Sequence, residues 1–167
     1  MQPIALQQKE RPPGKAADRI PSRRIEVRQS GVHGRGVYAT AAIPRGTRII
    51  EYTGKRISWE EGQAQEPQDP DNPNHTFFFS LENGDVIDAG SGGNDARWIN
   101  HSCRPNCEAR EDKGRVYVYA LRNLRRGEEL FYDYALVPAE RRTKKLEKEF
   151  GCSCGSAKCR GTMLGAK

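Results

Sequence analysis

Close to the C-terminus, Cys152-Ser153-Cys154 and Cys159 bring three of the chain's five cysteines within eight residues. Among glycines and small polar residues this spacing suits a tetrahedral Zn2+ clip, because small residues let the backbone wrap the ion. Three thiolates are one ligand short of such a site. Candidates for the fourth are Cys103, Cys107, His101, His33 and His75, and spacing alone does not choose among them. The expected role of the cluster is to order the tail against the rest of the domain. A disulfide framework fits poorly, since five is odd and no export signal precedes it.

A chain of 167 residues is long enough for one domain with its own core. Its mean hydropathy of −0.85 predicts a compact core and generous loops. No run approaches the roughly 18 apolar residues of a membrane span, and Met1 to Pro21 holds no apolar signal-peptide core. The expectation is a protein of the cytoplasm or nucleus, with no membrane partner. Its net charge of +6 is uneven: residues 1–24 hold six Lys/Arg against two acids, while Ile57 to Ala96 holds nine Asp/Glu and no Lys or Arg. Such a block repels phosphates and steers a cationic partner inward, unless it is an ordinary solvated loop.

Residues 1–22, rich in Pro, Gln and charge, show no periodicity and read as a disordered basic tail. Short β segments follow. Arg24–Arg28 alternates, Arg48–Tyr52 and Thr76–Leu81 are apolar runs, and Asn83-Gly84 leads into Asp85–Asp88 as a hairpin. Cys107–Glu111, the turn Asp112-Lys113-Gly114 and Val116–Leu121 predict a second hairpin. Helix is scarce. Ser58 and Glu61 form a capping box for one short helix, broken at Gly62, and a longer helix is expected over Ala139 to Phe150. The stretch from Glu66 to Asn74, with three prolines, reads as a loop. Many short strands with one terminal helix predict a mainly β domain.

Three further segments carry candidate chemistry. His33-Gly34-Arg35-Gly36 allows close backbone approach to a bulky ligand, although alone it reads as a turn. Asn100-His101 offers an amide and an imidazole within two residues, suited to an adenine edge or an amino-acid moiety. The plainer alternative is a polar turn whose side chains cap backbone groups. Tyr132 and Tyr134, two apart on a strand, put both rings on one face with Asp133 opposite, as a core pair also would.

Taken in order, Asn100-His101-Ser102-Cys103-Arg104-Pro105-Asn106-Cys107, then Gly127-Glu128-Glu129-Leu130-Phe131-Tyr132-Asp133-Tyr134, then the cysteine tail resemble the SET-domain protein lysine methyltransferases. The resemblance runs from Gly31 almost to the C-terminus. It implies a SET-domain fold of small twisted β-sheets and short helices, with a knot-like C-terminal threading that departs from the usual unthreaded chain. It divides the chain into a tail (1–22), a SET domain (23–137) and a linker helix with a post-SET zinc segment (138–167). The zinc ligands it implies are Cys103, Cys152, Cys154 and Cys159, leaving Cys107 as a buried thiol. Such a closed site is structural, with no open position to activate water.

The resemblance further implies that S-adenosylmethionine is held by His33, Gly34, Arg35, Gly36, Asn100 and His101. Tyr134 takes the catalytic position. Tyr132 takes the Tyr/Phe switch position, where tyrosine implies mono- or dimethylation. Two residues depart from the family pattern: Phe77 replaces a substrate-channel tyrosine, and Lys55 replaces the last Glu of Glu51-Tyr52-Thr53-Gly54-Lys55. In-line methyl transfer to a lysine amine needs alignment, desolvation and a deprotonated amine more than a strong base. The expected activity is that of a protein lysine N-methyltransferase acting on a basic, histone-like protein. The rival is a zinc-stabilised binding module that kept the fold without turnover. Nucleic-acid binding through Arg141-Arg142-Thr143-Lys144-Lys145 is the least favoured reading, because interspersed glutamates make that run a solvated face.

Overall fold

A computed structural model describes residues 24–66 and 76–165. The expected tail, most of the proline-rich loop and His75 lie outside the described residues. The fold is built from small sheets, as expected for a mainly β chain. β1 (Ile25–Gln29) and β2 (Arg35–Ala39) form an antiparallel hairpin. β3 (Arg48–Tyr52), β8 (Cys107–Asp112) and β9 (Arg115–Ala120) form an antiparallel sheet with β9 in the middle. β4 (Lys55–Ile57), β5 (Phe78–Ser80) and β6 (Val86–Asp88) form another, centred on β6. The last pair is parallel: β7 (Asn100–His101) lies beside β10 (Phe131–Tyr132).

Local chemistry explains these elements. Lys113 (φ 49°) and Gly114 (φ 75°) both take positive φ between β8 and β9, the conformation that matches the twist of a two-residue hairpin. Along β9, Val116, Val118 and Ala120 point into the core. On its other face Arg48 covers the Tyr117 ring at 4.6 Å and Arg110 the Tyr119 ring at 4.8 Å, so the aromatic surface there is capped by cations. Gly54 is required by a close approach: a Cβ there would overlap the Asp88 carbonyl, where β4 meets β6.

The helices differ from expectation in extent. α1 (Trp59–Ala64) begins at the predicted capping box, with Glu61 N–H donating to Ser58 Oγ at 3.1 Å and Ser58 N–H to Glu61 Oε2 at 2.8 Å. It runs through Gly62, which is buried against Ile57 and Phe78. The C-terminal helix, expected from Ala139, is only α2 (Lys144–Glu149). Thr143 takes an extended conformation and its hydroxyl accepts from Leu146 N–H at 3.2 Å, which caps the helix there. Arg142, just before the cap, is held by Glu147 and by the Gly165 carbonyl.

One core unites the sheets, including Val37, Ile43, Phe79, Ile99, Val118, Leu124 and Leu130, all at or near zero exposure. Side chains of this size contribute about 1.5–3 kcal/mol each when fully buried. The tail joins the same core through Phe150 and Leu164. The bridge of Leu136 with Leu164 fastens it, and the bridge of Gly151 with Thr162 closes the cysteine loop on itself. No helix among the described residues is long and apolar enough to cross a membrane.

Candidate active site and cysteine cluster

The parallel register that sets Asn100 opposite Phe131 and His101 opposite Tyr132 is what assembles the site. Asn106, buried behind this pair, stands in for a missing strand: its Oδ1 accepts from Phe131 N–H and its Nδ2 donates to Glu129 O, both at 2.8 Å. A cavity of about 270 Å³ opens against it, near the lower end of small-molecule pockets. His33, Asn100, His101, Tyr132, Tyr134 and Phe77 all line it, and so do Cys152 and Cys154 from the tail. Residues far apart in sequence therefore share one wall.

Asn100 has a defined amide orientation. Its Nδ2 donates to His33 O at 3.2 Å, Arg35 O at 2.8 Å and Glu129 Oε1 at 3.1 Å, which leaves Oδ1 as the acceptor available to a ligand. Glu129 is the hub behind it, also accepting from Ser30 Oγ at 2.8 Å and Tyr38 OH at 2.9 Å. Gly36 is explained by the same carboxylate, since a Cβ would overlap Glu129 Oε1. Of the glycine-rich segment only His33 lines the cavity. Gly34 turns the chain at φ 46°, and Arg35 stacks on the Trp98 ring at 5.0 Å.

His101 has an assigned tautomer. Tyr134 N–H donates to its Nδ1 at 3.0 Å, so the ring proton is on Nε2, which faces Cys103 Sγ at 3.4 Å. Burial lowers the imidazole to about 4, against the opposing pull of Asp133, so the ring is neutral near pH 7. The Tyr132 and Tyr134 rings lie 5.0 Å apart, but the strand expected to carry both ends at Tyr132, so Tyr134 follows it on irregular chain, and Asp133 is turned towards Arg160. Tyr134 OH donates to Ile99 O at 2.7 Å and Tyr52 OH to Phe77 O at 2.9 Å. Burial raises the hydroxyls of Tyr52, Tyr132 and Tyr134, so all three stay protonated.

The four cysteines Cys103, Cys152, Cys154 and Cys159 converge, every sulfur within 4.8 Å of the others. Cys103 Sγ lies 3.7 Å from Cys152 Sγ and 3.9 Å from Cys159 Sγ. A tetrahedral zinc site with Zn–S near 2.3 Å needs sulfurs about 3.8 Å apart, so the donor set fits one such ion. Backbone N–H groups of Arg160 and Gly161 point at Cys103 and Cys159 sulfurs, as suits thiolates. Cys107 is separate and fully buried, its thiol pushed up to about 12 by burial. Arg160 grips Asp133 with two bonds of 2.8 Å, tying the cysteine loop to the segment between the two tyrosines.

Several wall residues were not picked out from sequence: Tyr52, Arg97, Leu136, Phe150 and Met163. Tyr52 sat in a quoted motif, and Phe150 adjoins the cysteines, but nothing in their spacing marks them as wall. The acidic block is smaller than its count. Asp88 is buried and accepts from Gly90 N–H, Glu61 caps α1, and Asp69 and Asp71 lie outside the described residues. Glu60, Glu66, Glu82 and Asp95 remain exposed.

The SET domain family model matches residues 34–135. Over 140 residues the chain is 38% identical to human Histone-lysine N-methyltransferase 2B, covering 81% of this chain and 5% of that protein. Over 150 residues it is 35% identical to a Histone-lysine N-methyltransferase, H3 lysine-4 specific, of Chaetomium globosum, covering 83% of this chain and 13% of that protein. The chain thus spans a small part of these relatives' length. A crystal structure of KRYPTONITE in complex with mCHG DNA and SAH superposes with a TM-score of 0.66 at 30% identity, covering 84% of this chain and 29% of that one.

Proposed function

This chain belongs to the SET-domain family, and on that premise we propose that it is an S-adenosylmethionine-dependent protein lysine N-methyltransferase acting on a basic, histone-like protein of nucleus or cytoplasm. The observation that carries the reading is the cavity on which Asn100, His101, Tyr132 and Tyr134 meet the cysteine tail. The SAH bound to the structural relative and the histone-lysine names of the sequence relatives support it.

When bound, S-adenosylmethionine supplies a methyl group activated on a sulfonium. His33, Asn100 and His101, which line the cavity, would hold it, with Gly34, Arg35 and Gly36 forming the turn that carries His33 and accepts the Asn100 amide. Tyr52, Phe77, Tyr132 and Tyr134 would form the aromatic sleeve that takes the lysine. Excluding water from that sleeve lowers the lysine pKa, favouring the neutral amine. Tyrosines that stay protonated orient the amine and do not take its proton, so Tyr134 and Tyr132 act by alignment. A tyrosine at 132 favours mono- or dimethylation. Exposed acids of the 57–96 region steer the basic peptide. Cys103, Cys152, Cys154 and Cys159 would hold a structural Zn2+ that orders the tail forming one wall.

The test incubates the protein with labelled S-adenosylmethionine and, separately, core histones and a basic-protein extract, with Tyr134→Phe as the matched control. Label on a lysine, located by mass spectrometry and absent from the mutant, is expected. Thermal stabilisation by S-adenosylmethionine with both proteins equally silent on every pool would favour a binding module. No donor binding would remove the pocket assignment.

A further inference from the structure

The chain's arginines fall into two groups. Arg28, Arg110, Arg115, Arg142 and Arg160 are paired with carboxylates, and Arg35, Arg48 and Arg97 lie on aromatic rings. Others gather where two turns meet. Ile43 bridges Leu124, and Arg45 N–H donates to Asn123 Oδ1 at 2.8 Å, which sets Arg45 beside Arg122, Arg125 and Arg126. Arg24 reaches the same edge, its guanidinium donating to Ala42 O. Arg104 extends it from the other side, sharing a shallow depression with Arg122 and the cysteine-loop residues Gly155 and Ser156. All six are exposed.

Two acids line that depression, Glu128 and Glu129; Glu128 is already engaged by Arg122 and by Arg125 N–H, and Glu129 by Ser30, Tyr38 and Asn100. Among the described residues, the side chains of Arg45, Arg104, Arg125 and Arg126 have no hydrogen bond, ion pair or ring contact. None of the six lines the cavity. Arg45, Arg125 and Arg126 stand on the two turns that the Ile43–Leu124 bridge joins, and Arg104 on the neighbouring loop.

We propose that this arginine stripe docks the phosphodiester backbone of a nucleic acid, without reading its bases. Three observations favour that partner over an acidic protein. The cations are arginines throughout, whose planar fork matches phosphate oxygens two at a time. Arg45, Arg122, Arg125 and Arg126 sit on turns held by backbone pairing, so their Cα positions are preset before binding. An interface with a protein needs a buried aromatic or aliphatic anchor, whereas Val137 is the only large apolar residue exposed among the described residues and lies outside the stripe. The basic run predicted at 141–145 is a poorer site, since Arg142 is held by Glu147 and Gly165. The proposal does not depend on methyl transfer.

The experiment measures binding of labelled 30-base-pair DNA and RNA duplexes to the full chain, by anisotropy, across a salt series. Four phosphate contacts predict a slope of log K against log salt of about −3.6, or roughly 150-fold weaker binding at 200 mM than at 50 mM. Arg45→Gln/Arg125→Gln/Arg126→Gln should flatten the slope by about 2.7 without lowering Tm. Lys144→Gln/Lys145→Gln, and glutamine at Lys9, Arg11, Lys15 and Arg19, should leave it intact. Equal DNA and RNA slopes support backbone recognition, and the tighter duplex names the source. The proposal is overturned if the tail or helix variant removes the slope while the triple variant keeps it. It is also overturned if neither duplex binds at 50 mM salt, or if polyglutamate of equal charge binds more tightly than either.

Discussion

Replacing Glu129 by alanine probes how the Ser30–Arg35 loop is held against Asn100. The carboxylate accepts three hydrogen bonds, from Ser30, Tyr38 and Asn100. Bonds to a charged group contribute about 1.5–3 kcal/mol each, but the three losses do not add in full. Tyr38 OH also lies 3.3 Å from Gln29 O, and Asn100 keeps His33 O and Arg35 O. The net cost is therefore near that of one charged bond, about 2–3 kcal/mol. At roughly 2–4 °C per kcal/mol for a chain of this size, Tm should fall by about 4–12 °C. With one of three anchors gone, the Asn100 amide no longer holds Oδ1 in one place. Affinity for S-adenosylhomocysteine, read by calorimetry, should fall about tenfold, equivalent to about 1.4 kcal/mol. Tyr38→Phe is the control, removing a bond to the same carboxylate while leaving Asn100 alone. If Glu129→Ala loses its Tm but binds the ligand within twofold of wild type, Glu129 supports the fold only and the positioning argument is wrong.

Other outcomes are expected. Elemental analysis should find one zinc per chain, and Cys103→Ser should lower zinc affinity as much as Cys152→Ser does, whereas Cys107→Ser should leave zinc content unchanged. Asp133→Asn removes the bidentate partner of Arg160 and should raise proteolysis of the 150–165 tail without unfolding the core. Burial raises the Glu128 carboxyl, but Arg122, Arg125 N–H and Asn106 together outweigh it, so its pKa lies below the usual value. The stability difference between wild type and Glu128→Gln, measured by denaturant titration, should be full above about pH 5 and shrink as pH falls through the folded pKa. A difference that stays constant down to pH 2 would contradict that sign.

Much of this protein was legible in sequence because the signals were local. A two-residue turn between alternating runs, a capping box and a cysteine spacing each depend on residues within about ten positions. The strand Arg48–Tyr52, the strand expected over Val116–Leu121 and found over Arg115–Ala120, and the start of α1 followed from such signals. The tail helix is shorter than its Lys, Arg and Glu content predicts, because Thr143 and the anchoring of Arg142 fix where it starts. Gly62 is the opposite case, a weak helix former that does not end the helix because it is buried against Ile57 and Phe78.

The sequence by itself determined which residue types are present and how they are spaced: three clustered thiols one ligand short of a zinc site, an adjacent Asn and His, and two tyrosines two residues apart. It did not say that the fourth thiol is Cys103, which only the resemblance indicated, because a tetrahedron depends on distances between segments fifty residues apart. Tertiary structure decided that the sulfurs converge, that parallel pairing of β7 with β10 sets Asn100 and His101 beside the tyrosines, and that Tyr52, Phe150 and Met163 complete the wall. It also decided which charges remain exposed, burying Asp88 and leaving an arginine stripe unpaired. Charge counted along a chain is a sum, whereas charge felt by a partner depends on which side chains folding has already paired.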